Sequence, residues 1–170
     1  MQKRLFVDMD GVLCEFNKDA SIEEVASKGY FTKCKPQASV VEAVLSMLYE
    51  TDTEIFILSS VFSDNHSISD KNQWLDENGL YEIDDKHRLF VPYGTSKSEY
   101  LKEKVGSSPA DFLLDDFSKN LHDWHGVGIK LYNGINGTKG TWSGYGVNAR
   151  SSYSVLRNTL LGIMHYAKLS

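Results

Sequence analysis

Two apolar runs of this sequence are each followed directly by a pair of acidic residues. Asp8 and Asp10 follow the run 5–7, and Asp115 and Asp116 follow the run 112–114. Carboxylates that meet at one place repel one another and raise one another's pKa values, and a bound cation relieves this repulsion. All of these ligands are oxygens, and no Cys/His cluster with zinc spacing accompanies them. The donor set therefore favours a hard octahedral ion, and Mg²⁺ is the expected one.

The segment 8–11, Asp-Met-Asp-Gly, has two other interpretations. An EF-hand calcium loop also begins Asp-x-Asp, but it requires Gly at its sixth position and Glu at its twelfth. Counting from Asp8, these positions hold Leu13 and Asp19, which excludes the calcium loop. A simple turn at the end of a strand also favours Asp and Gly. For the segment alone the turn stays open, and polar residues at other strand ends favour a site.

The periodicity of the chain predicts an α/β fold. Continuous apolar runs are typical of strands covered on both faces, and segments with helical spacing alternate with them. This alternation predicts a doubly wound, Rossmann-like parallel sheet of about five strands within a single domain, residues 1–170. The glycine-rich stretch 126–146 contains seven glycines and is interpreted as the end of the last strand and a long loop. The predicted strands are 5–7, 55–58, 89–91, 112–114 and 127–132, and the helices are 21–27, 40–48, 69–78, 98–105, 119–125 and 151–168.

The predicted sheet brings the polar strand ends together. Ligands of open α/β sheets bind outside the carboxyl ends of the strands. Ser59 and Ser60 follow the second predicted strand, so we expect their hydroxyl groups in the same crevice as the four carboxylates. The least regular early segment, residues 15–35, is expected to form a small lid over this crevice.

Taken in order, these motifs resemble a known family. Asp8-x-Asp10-Gly11-Val12, the strand-end Ser59, a downstream lysine and Asp115-Asp116 resemble the four motifs of the haloacid dehalogenase superfamily. More narrowly, segment 8–16 resembles the opening of the 5'(3')-deoxyribonucleotidase group. Segments 113–116 and 133–137 are similar to bacterial and phage proteins assigned to that group.

The resemblance implies roles for the acidic residues. Asp8 would be the nucleophile that forms an aspartyl-phosphate, and Asp10 would be the general acid and base. Mg²⁺ would be held by Asp8, the backbone carbonyl of Asp10 and Asp115, with Asp116 supporting that shell. Ser59 would donate a hydrogen bond to a phosphate oxygen, assisted by Ser60.

The resemblance also implies a lysine near the acidic strand. Lys97 follows Gly-Thr-Ser and begins a predicted helix eighteen residues before Asp115, whereas Lys104 lies eleven residues before it. The superfamily lysine usually stands at the start of the preceding helix, which favours Lys97. Lys104 is left as the alternative, with a solvated helix face as its ordinary explanation.

Four aromatic residues are candidates for a substrate pocket. Phe16, Tyr30 and Phe31 could form the wall of a nucleobase pocket under the lid, and Trp142 in the glycine-rich loop could stack on a base. Packing of these rings onto the core is the alternative. Asn133 and Asn136 are interpreted as turn formers.

Composition limits the class of function. The formal net charge of -5 argues against a protein that binds duplex nucleic acid through its backbone. Two cysteines, Cys14 and Cys34, predict reduced thiols, and no run approaches the ~20 apolar residues of a membrane span. We therefore expect a cytoplasmic protein. The resemblance implies a Mg²⁺-dependent phosphatase that acts on nucleoside monophosphates or their deoxy analogues, with a small phosphomonoester as its partner.

Two alternatives remain open at this stage. The lid has only twenty-one residues, which is shorter than the cap that the resemblance implies, so sugar phosphates or phosphorylated nucleic-acid ends are alternative substrates. The second alternative is a regulatory module that binds Mg²⁺ without turnover. The full set of acidic, serine and lysine motifs argues against this module.

Overall fold

Six parallel strands form the centre of the protein. The computed structural model describes residues 3–63, 66–135 and 141–169, and among these no helix is long and apolar enough to span a membrane. The strands are β1 (Arg4–Val7), β2 (Glu54–Val61), β3 (Arg88–Pro92), β4 (Asp111–Asp115), β5 (Val127–Tyr132) and β6 (Tyr145–Asn148). The helices are α1 (Ile22–Val25), α2 (Ala38–Glu50), α3 (Ser67–Glu77), α4 (Lys97–Lys104), α5 (Ser118–His122) and α6 (Tyr153–Tyr166), with 3₁₀ turns at Phe31–Lys33 and Asp85–His87.

The strand order places β1 at a change of direction in the sheet. The order is β3-β2-β1-β4-β5-β6, and Val7 at the end of β1 is in register with Ile57 of β2 and Leu114 of β4. The chain runs outward from β1 to β3 and then returns to the other side of β1 with β4. Such a switch point leaves a crevice at the carboxyl ends of the two strands. The residues that directly follow Val7 and Leu114 therefore meet there.

Helices cover both faces of the sheet. Apolar side chains of α2, α3 and α6 pack on one face, and Leu101 of α4 and Leu121 of α5 pack on the other. Phe6 and Phe56 lie on this second face with stacked rings, 4.8 Å between their centroids. Because both faces are buried, the central strands carry continuous apolar runs, which is why the sequence pattern located them.

The prediction of about five strands is corrected to six. The sixth strand begins at the end of the segment that was interpreted as a loop, and it pairs with β5 through Val147 opposite Leu131. Only Val147 of its four residues is buried, so β6 gives no apolar run. Gly146 permits the pairing because the ring of Tyr132 occupies the space that a Cβ would need. Asn136, interpreted as a turn former, lies outside the described residues.

Two short helices start at the carboxyl ends of strands and carry polar groups to the crevice. The hydroxyl of Ser96 accepts a hydrogen bond from the amide of Glu99, which caps α4 and places Lys97 in its first turn. Ser118 begins α5 two residues after Asp116. Both helices start one residue earlier than the periodicity predicted, and for α4 the cap at Ser96 sets the first residue.

The inserted segment, residues 15–35, is fastened to the core at several points. The amide of Glu15 donates to the carbonyl of Lys35 across 2.8 Å, which closes the segment at its base. Asp70 of α3 accepts a hydrogen bond from the Gly29 amide at 2.6 Å, and the indole of Trp74 donates to the Cys34 carbonyl at 2.6 Å. Helix α3 therefore holds the second half of the inserted segment in place.

Candidate active site

Three buried carboxylates form an acidic cluster at the switch point: Asp8, Asp115 and Asp116. One oxygen of each lies within 4.8 Å of the others. Asp8 is 7% exposed, Asp115 is fully buried and Asp116 is 3% exposed. Asp8 follows β1 and Asp115 ends β4, so the parallel register of these two neighbouring strands creates the cluster.

The turn after β1 approaches the acidic cluster closely at Gly11. Gly11 has a φ of +78°, and a Cβ at this position would overlap the carboxylate of Asp116. The side-chain amide of Asn133 donates to the Gly11 carbonyl and to Asp116 Oδ2, each at 2.7 Å. Asn133 thus ties the turn to the carboxylate, a role that its interpretation as a turn former missed. The glycine of the acidic motif is required here by close approach as well as by its backbone angle.

Lys97 lies inside the acidic cluster. Its Nζ is 2.9 Å from Asp8 Oδ1 and 2.7 Å from Asp115 Oδ2, and the side chain is buried. Burial lowers the pKa of Lys97, but the charges of Asp115 and Asp8 more than offset this, so its pKa lies above its ordinary value. Lys104, the alternative, is more than half exposed and pairs with Glu103 at 3.7 Å. The structure therefore brings Lys97, not Lys104, to the predicted carboxylates.

Asp115 accepts hydrogen bonds from two further groups of the site. Its Oδ1 accepts a hydrogen bond from the Phe117 amide at 2.8 Å, and its Oδ2 accepts one from the side chain of Asn120 at 2.9 Å. Burial raises the pKa of Asp115, the positive charge of Lys97 lowers it, and the charge of Asp8 raises it again. Asn120 on α5 is a site residue for which the sequence offered no signal.

Lys71 of α3 is a second buried lysine that the sequence interpretation missed. Its Nζ contacts Asp10 Oδ2 at 2.5 Å, Ser59 Oγ at 2.8 Å and the Ser60 carbonyl at 2.9 Å. The same ammonium lies 4.3 Å from the centre of the Phe31 ring. One signal was present in the sequence: Lys71 stands three and four residues before Trp74 and Leu75, on the face of the helix that faces the core.

The Lys71 contact gives Asp10 an environment that differs from that of the acidic cluster. Burial raises the pKa of Asp10, the charge of Lys71 lowers it, and the charge of Asp8 raises it, with a net rise. A carboxyl group of raised pKa, fixed at one oxygen by a lysine, suits a group that gives and takes a proton.

The two serines of β2 lie in different surroundings. The strand continues to Val61, so Ser59 and Ser60 lie within it and their side chains point to opposite faces. Ser59 is fully buried, and its hydroxyl accepts the hydrogen bond from Lys71. Ser60 lies on the wall of the cleft beside the acidic cluster. The phosphate contact at Ser59 stays a prediction, and Ser60 is the serine that lines the cleft.

An acidic cleft of about 250 Å³ opens above the cluster, and an apolar cavity of about 210 Å³ adjoins it. Asp10, Phe16 and Ser60 line both, so the two spaces are neighbours. The remaining residues of the acidic cleft are Asp8, Lys97, Asp116, Phe117 and Asn120. The remaining residues of the apolar cavity are Ala20, Ile22, Val25, Phe31, Val61, Phe62 and Tyr93.

The four predicted pocket residues are separated by the structure. Phe16 and Phe31 line the apolar cavity, as expected. Tyr30 instead faces a groove on the outer side of the inserted segment. Trp142 packs edge-on against His122, 5.3 Å between ring centres, and its indole donates to the Tyr145 carbonyl at 2.7 Å. Its bulky ring fills the space beside Gly128 and Gly144, where a glycine has no Cβ.

The acidic cluster fits a divalent cation. Its donors are all carboxylate oxygens, which suit hard ions such as Mg²⁺, and Lys97 supplies one positive charge against three negative ones. Burial and the charges of Asp115 and Asp8 raise the pKa of Asp116 to about 8, although its hydrogen bond from Asn133 lowers it. Asp116, expected to stand behind the metal, brings its own oxygen into the cluster.

This raised pKa predicts a pH-dependent stability of the metal-free protein. The folded state holds a proton on Asp116 that the unfolded chain releases at much lower pH, so the contribution of Asp116 to stability is lost as pH rises through about 8. We expect the thermal midpoint without Mg²⁺ to fall as the pH rises from about 6 to about 8 and to change little above about 8, where both states have released this proton. Added Mg²⁺ should raise it more at the upper end, because the metal binds the ionised form.

The matched variants for this measurement are Asp116→Asn and Asp52→Asn. Asp116→Asn should flatten the decline, whereas Asp52→Asn, which changes an exposed aspartate, should follow the wild type. A thermal midpoint that rises with pH in the metal-free wild type would contradict the raised pKa.

The site thus has two charged parts at one switch point. The acidic cluster surrounds Lys97, and beside it Lys71 holds Asp10 and Ser59. The acidic cleft is lined by Asp8, Asp10 and Ser60, and the last two of these also line the apolar cavity.

Comparison of the chain with models of known protein families finds no match, and comparison with curated proteins finds none either.

Proposed function

We propose that this protein is a Mg²⁺-dependent phosphomonoesterase of the haloacid dehalogenase type, working through an aspartyl-phosphate on Asp8. The observation that carries the proposal is the acidic cluster with Lys97 between two of its carboxylates. The order of the motifs along the chain supports the same assignment. Such a site has little covalent chemistry to perform and acts by positioning and by charge neutralisation.

Asp8, Asp115 and Asp116 would hold the metal, which when bound neutralises charge on the phosphoryl oxygens. Lys97 orients the carboxylate of Asp8, because its ammonium contacts Oδ1. In the first step a carboxylate oxygen of Asp8 forms a bond to phosphorus as the bond to the leaving oxygen breaks. The hydroxyl of Ser60, on the cleft wall, donates a hydrogen bond to the phosphoryl group.

Asp10 supplies the proton in the first step and removes one in the second. Its protonated carboxyl gives a proton to the leaving oxygen, which departs as an alcohol. The resulting carboxylate then takes a proton from a water molecule, whose oxygen attacks phosphorus and releases phosphate from Asp8. Lys71 fixes the position of Asp10 throughout through the contact to Oδ2.

We propose nucleoside monophosphates or their deoxy analogues as the substrates. The apolar cavity next to the acidic cleft offers the rings of Phe16, Phe31, Phe62 and Tyr93, with Phe62 and Tyr93 4.8 Å apart between ring centres. A nucleobase has flat apolar faces that pack well against such rings. In this proposal the inserted segment acts as the small lid, because it provides Phe16 and Phe31.

A substrate panel tests this function directly. Phosphate release is measured with and without Mg²⁺ from deoxynucleoside and ribonucleoside monophosphates, sugar phosphates and a generic phosphomonoester. We expect turnover only with Mg²⁺ and a higher kcat/KM for nucleotides than for sugar phosphates. Trapping of beryllofluoride on Asp8 together with no hydrolysis of any compound would overturn the enzyme assignment in favour of a silent Mg²⁺-binding module.

A further inference from the structure

A groove lined by lysines lies outside the acidic cleft. It has a volume of about 530 Å³, and its walls include Lys28, Lys33 and Lys35 together with Tyr30 and Phe16. Residues 27–35 contain these three lysines and no Asp or Glu, in a chain whose net charge is -5. We call this space the lysine groove. A local excess of positive charge on an acidic protein indicates an anionic ligand.

The charge of the lysine groove is only slightly compensated. Glu15 is the one carboxylate among the groove residues that the structure describes, and it contacts Lys35 at 3.3 Å. Both side chains of this pair are more than half exposed, so solvent weakens their attraction. Three ammonium groups therefore face one carboxylate, which leaves positive charge for a ligand.

The backbone of the lysine groove is fixed by α3. Asp70 accepts the hydrogen bond from the Gly29 amide, and Trp74 donates to the Cys34 carbonyl. Both anchors are buried, and each binds the backbone next to a groove lysine. The lysines thus extend from an ordered backbone, which lowers the ordering cost of binding.

Phe16 connects the lysine groove to the proposed catalytic site. Its ring is 37% exposed and lines the groove, the apolar cavity and the acidic cleft. A ligand whose terminal phosphate occupies the acidic cleft can therefore extend past Phe16 into the groove. A nucleoside monophosphate has one phosphate, which the acidic cleft would take, and it leaves the groove lysines without a ligand.

We infer that the lysine groove binds a further phosphate of a nucleotide substrate, so that nucleotides or nucleic-acid ends with a second phosphate bind more tightly than the monophosphates that the acidic cleft accepts. This inference rests on the proposed phosphatase function. Aromatic rings beside lysines are the combination that binds single-stranded nucleic acid, because bases stack while ammonium groups contact the backbone phosphates. Tyr30 and Phe16 supply the rings, which favours a nucleotide over a sugar bisphosphate.

A second phosphate is carried either by a free nucleotide or by the end of a nucleic acid, and an assay with three substrates distinguishes these two sources. Phosphate release is measured from thymidine 5'-monophosphate, from thymidine 3',5'-bisphosphate and from a short oligothymidylate with a terminal 5'-phosphate. The test variant is Lys28→Ala/Lys33→Ala/Lys35→Ala, and the control is Lys86→Ala/Lys102→Ala/Lys104→Ala, which removes three other exposed lysines.

The lysine groove predicts a selective loss in the test variant. For substrates with a second phosphate we expect kcat/KM to fall by about 10-fold to 100-fold, in line with the removal of two or three phosphate contacts. The monophosphate should stay within about twofold of wild type, since it does not reach the groove. A loss with the bisphosphate alone indicates a free nucleotide, and a loss with both indicates a nucleic-acid end. Equal effects on all three substrates, or none, would overturn the inference.

A binding measurement separates the lysine groove from the catalytic proposal. The fluorescence anisotropy of a labelled oligothymidylate is measured with the Asp8→Asn protein. This binding measurement does not depend on turnover. We expect an affinity that falls with salt, with a log–log slope near -0.7 for each lysine engaged (about -2 for three). The triple variant should lose most of this slope and the control should keep it. Salt-dependent binding together with no turnover of any substrate by the wild-type protein would leave the groove supported and the phosphatase function refuted, whereas salt-independent binding would refute the groove.

Discussion

Asp8→Asn is expected to reduce phosphate release by at least about 10³-fold at saturating Mg²⁺. The substitution keeps the shape of the side chain but replaces a carboxylate oxygen by an amide, which is too weak a nucleophile to form the acyl phosphate. It also removes one of the two carboxylates that contact Lys97, while Asp115 remains at 2.7 Å. The measurement is steady-state phosphate release from the best substrate of the panel.

The Asp8→Asn protein should nevertheless stay folded. The charge of Asp8 raises the pKa values of Asp10, Asp115 and Asp116, so its removal relieves repulsion within the site. We expect a metal-free thermal midpoint at least equal to that of the wild type, together with a weaker response to Mg²⁺. Asp52→Asn is the matched control and should retain full activity. Wild-type turnover in Asp8→Asn would exclude the covalent mechanism.

The sequence located the acidic cluster because parallel strands constrain where their ends meet. Runs 5–7 and 112–114 are buried on both faces and therefore visible as apolar runs, and the residues after them are forced to the same edge of the sheet. The acidic positions follow from short-range patterns joined by one rule of topology. Lys97 was expected because the family resemblance implies a lysine at the start of the helix before the acidic strand, and the cap at Ser96 explains its place there.

The remaining parts of the site depend on long-range contacts that no local pattern records. Asn133 reaches Gly11 and Asp116 from a loop more than a hundred residues after the first motif. Strand β6 is defined by pairing with β5 and has one buried residue, so it lacks an apolar run. Ser60, rather than Ser59, lines the cleft because the strand continues for three residues beyond its apolar run and its pleat turns Ser60 to the cleft.

Lys71 shows how a polar residue on an apolar helix face can indicate a site. A buried lysine is costly unless it is paired, and this one contacts three oxygens. We expect Lys71→Met to lower kcat/KM by about 10²-fold to 10³-fold, since positioned acid–base catalysis contributes roughly 10² to 10⁴. Methionine keeps an unbranched apolar chain against Phe31, so the variant loses the charge while conserving most of the packing. Lys86→Met, at an exposed position, is the control.

The pH profile tells whether Lys71 acts through Asp10. The charge of Lys71 lowers the pKa of Asp10, so its removal raises that pKa further above the ordinary value. Because the first step needs protonated Asp10, the fall of kcat/KM on the alkaline side should move to higher pH in Lys71→Met. A profile that keeps its position or moves to lower pH would contradict this role.

A double-mutant cycle completes the assignment of Lys71 as a positioning residue. Asp10→Asn alone should lower kcat/KM by about 10²-fold to 10⁴-fold, and addition of Lys71→Met should lower it little further, because the group that Lys71 positions has already been removed. If the two losses instead multiply, Lys71 acts on the phosphoryl group independently of Asp10.

The contact of Lys71 with Ser59 offers the internal check, since Ser59→Ala removes one oxygen partner while Asp10 and Ser60 remain. We expect Ser59→Ala to lower kcat/KM by only a small part of the loss seen in Lys71→Met, because the ion pair with Asp10 accounts for most of the effect of Lys71.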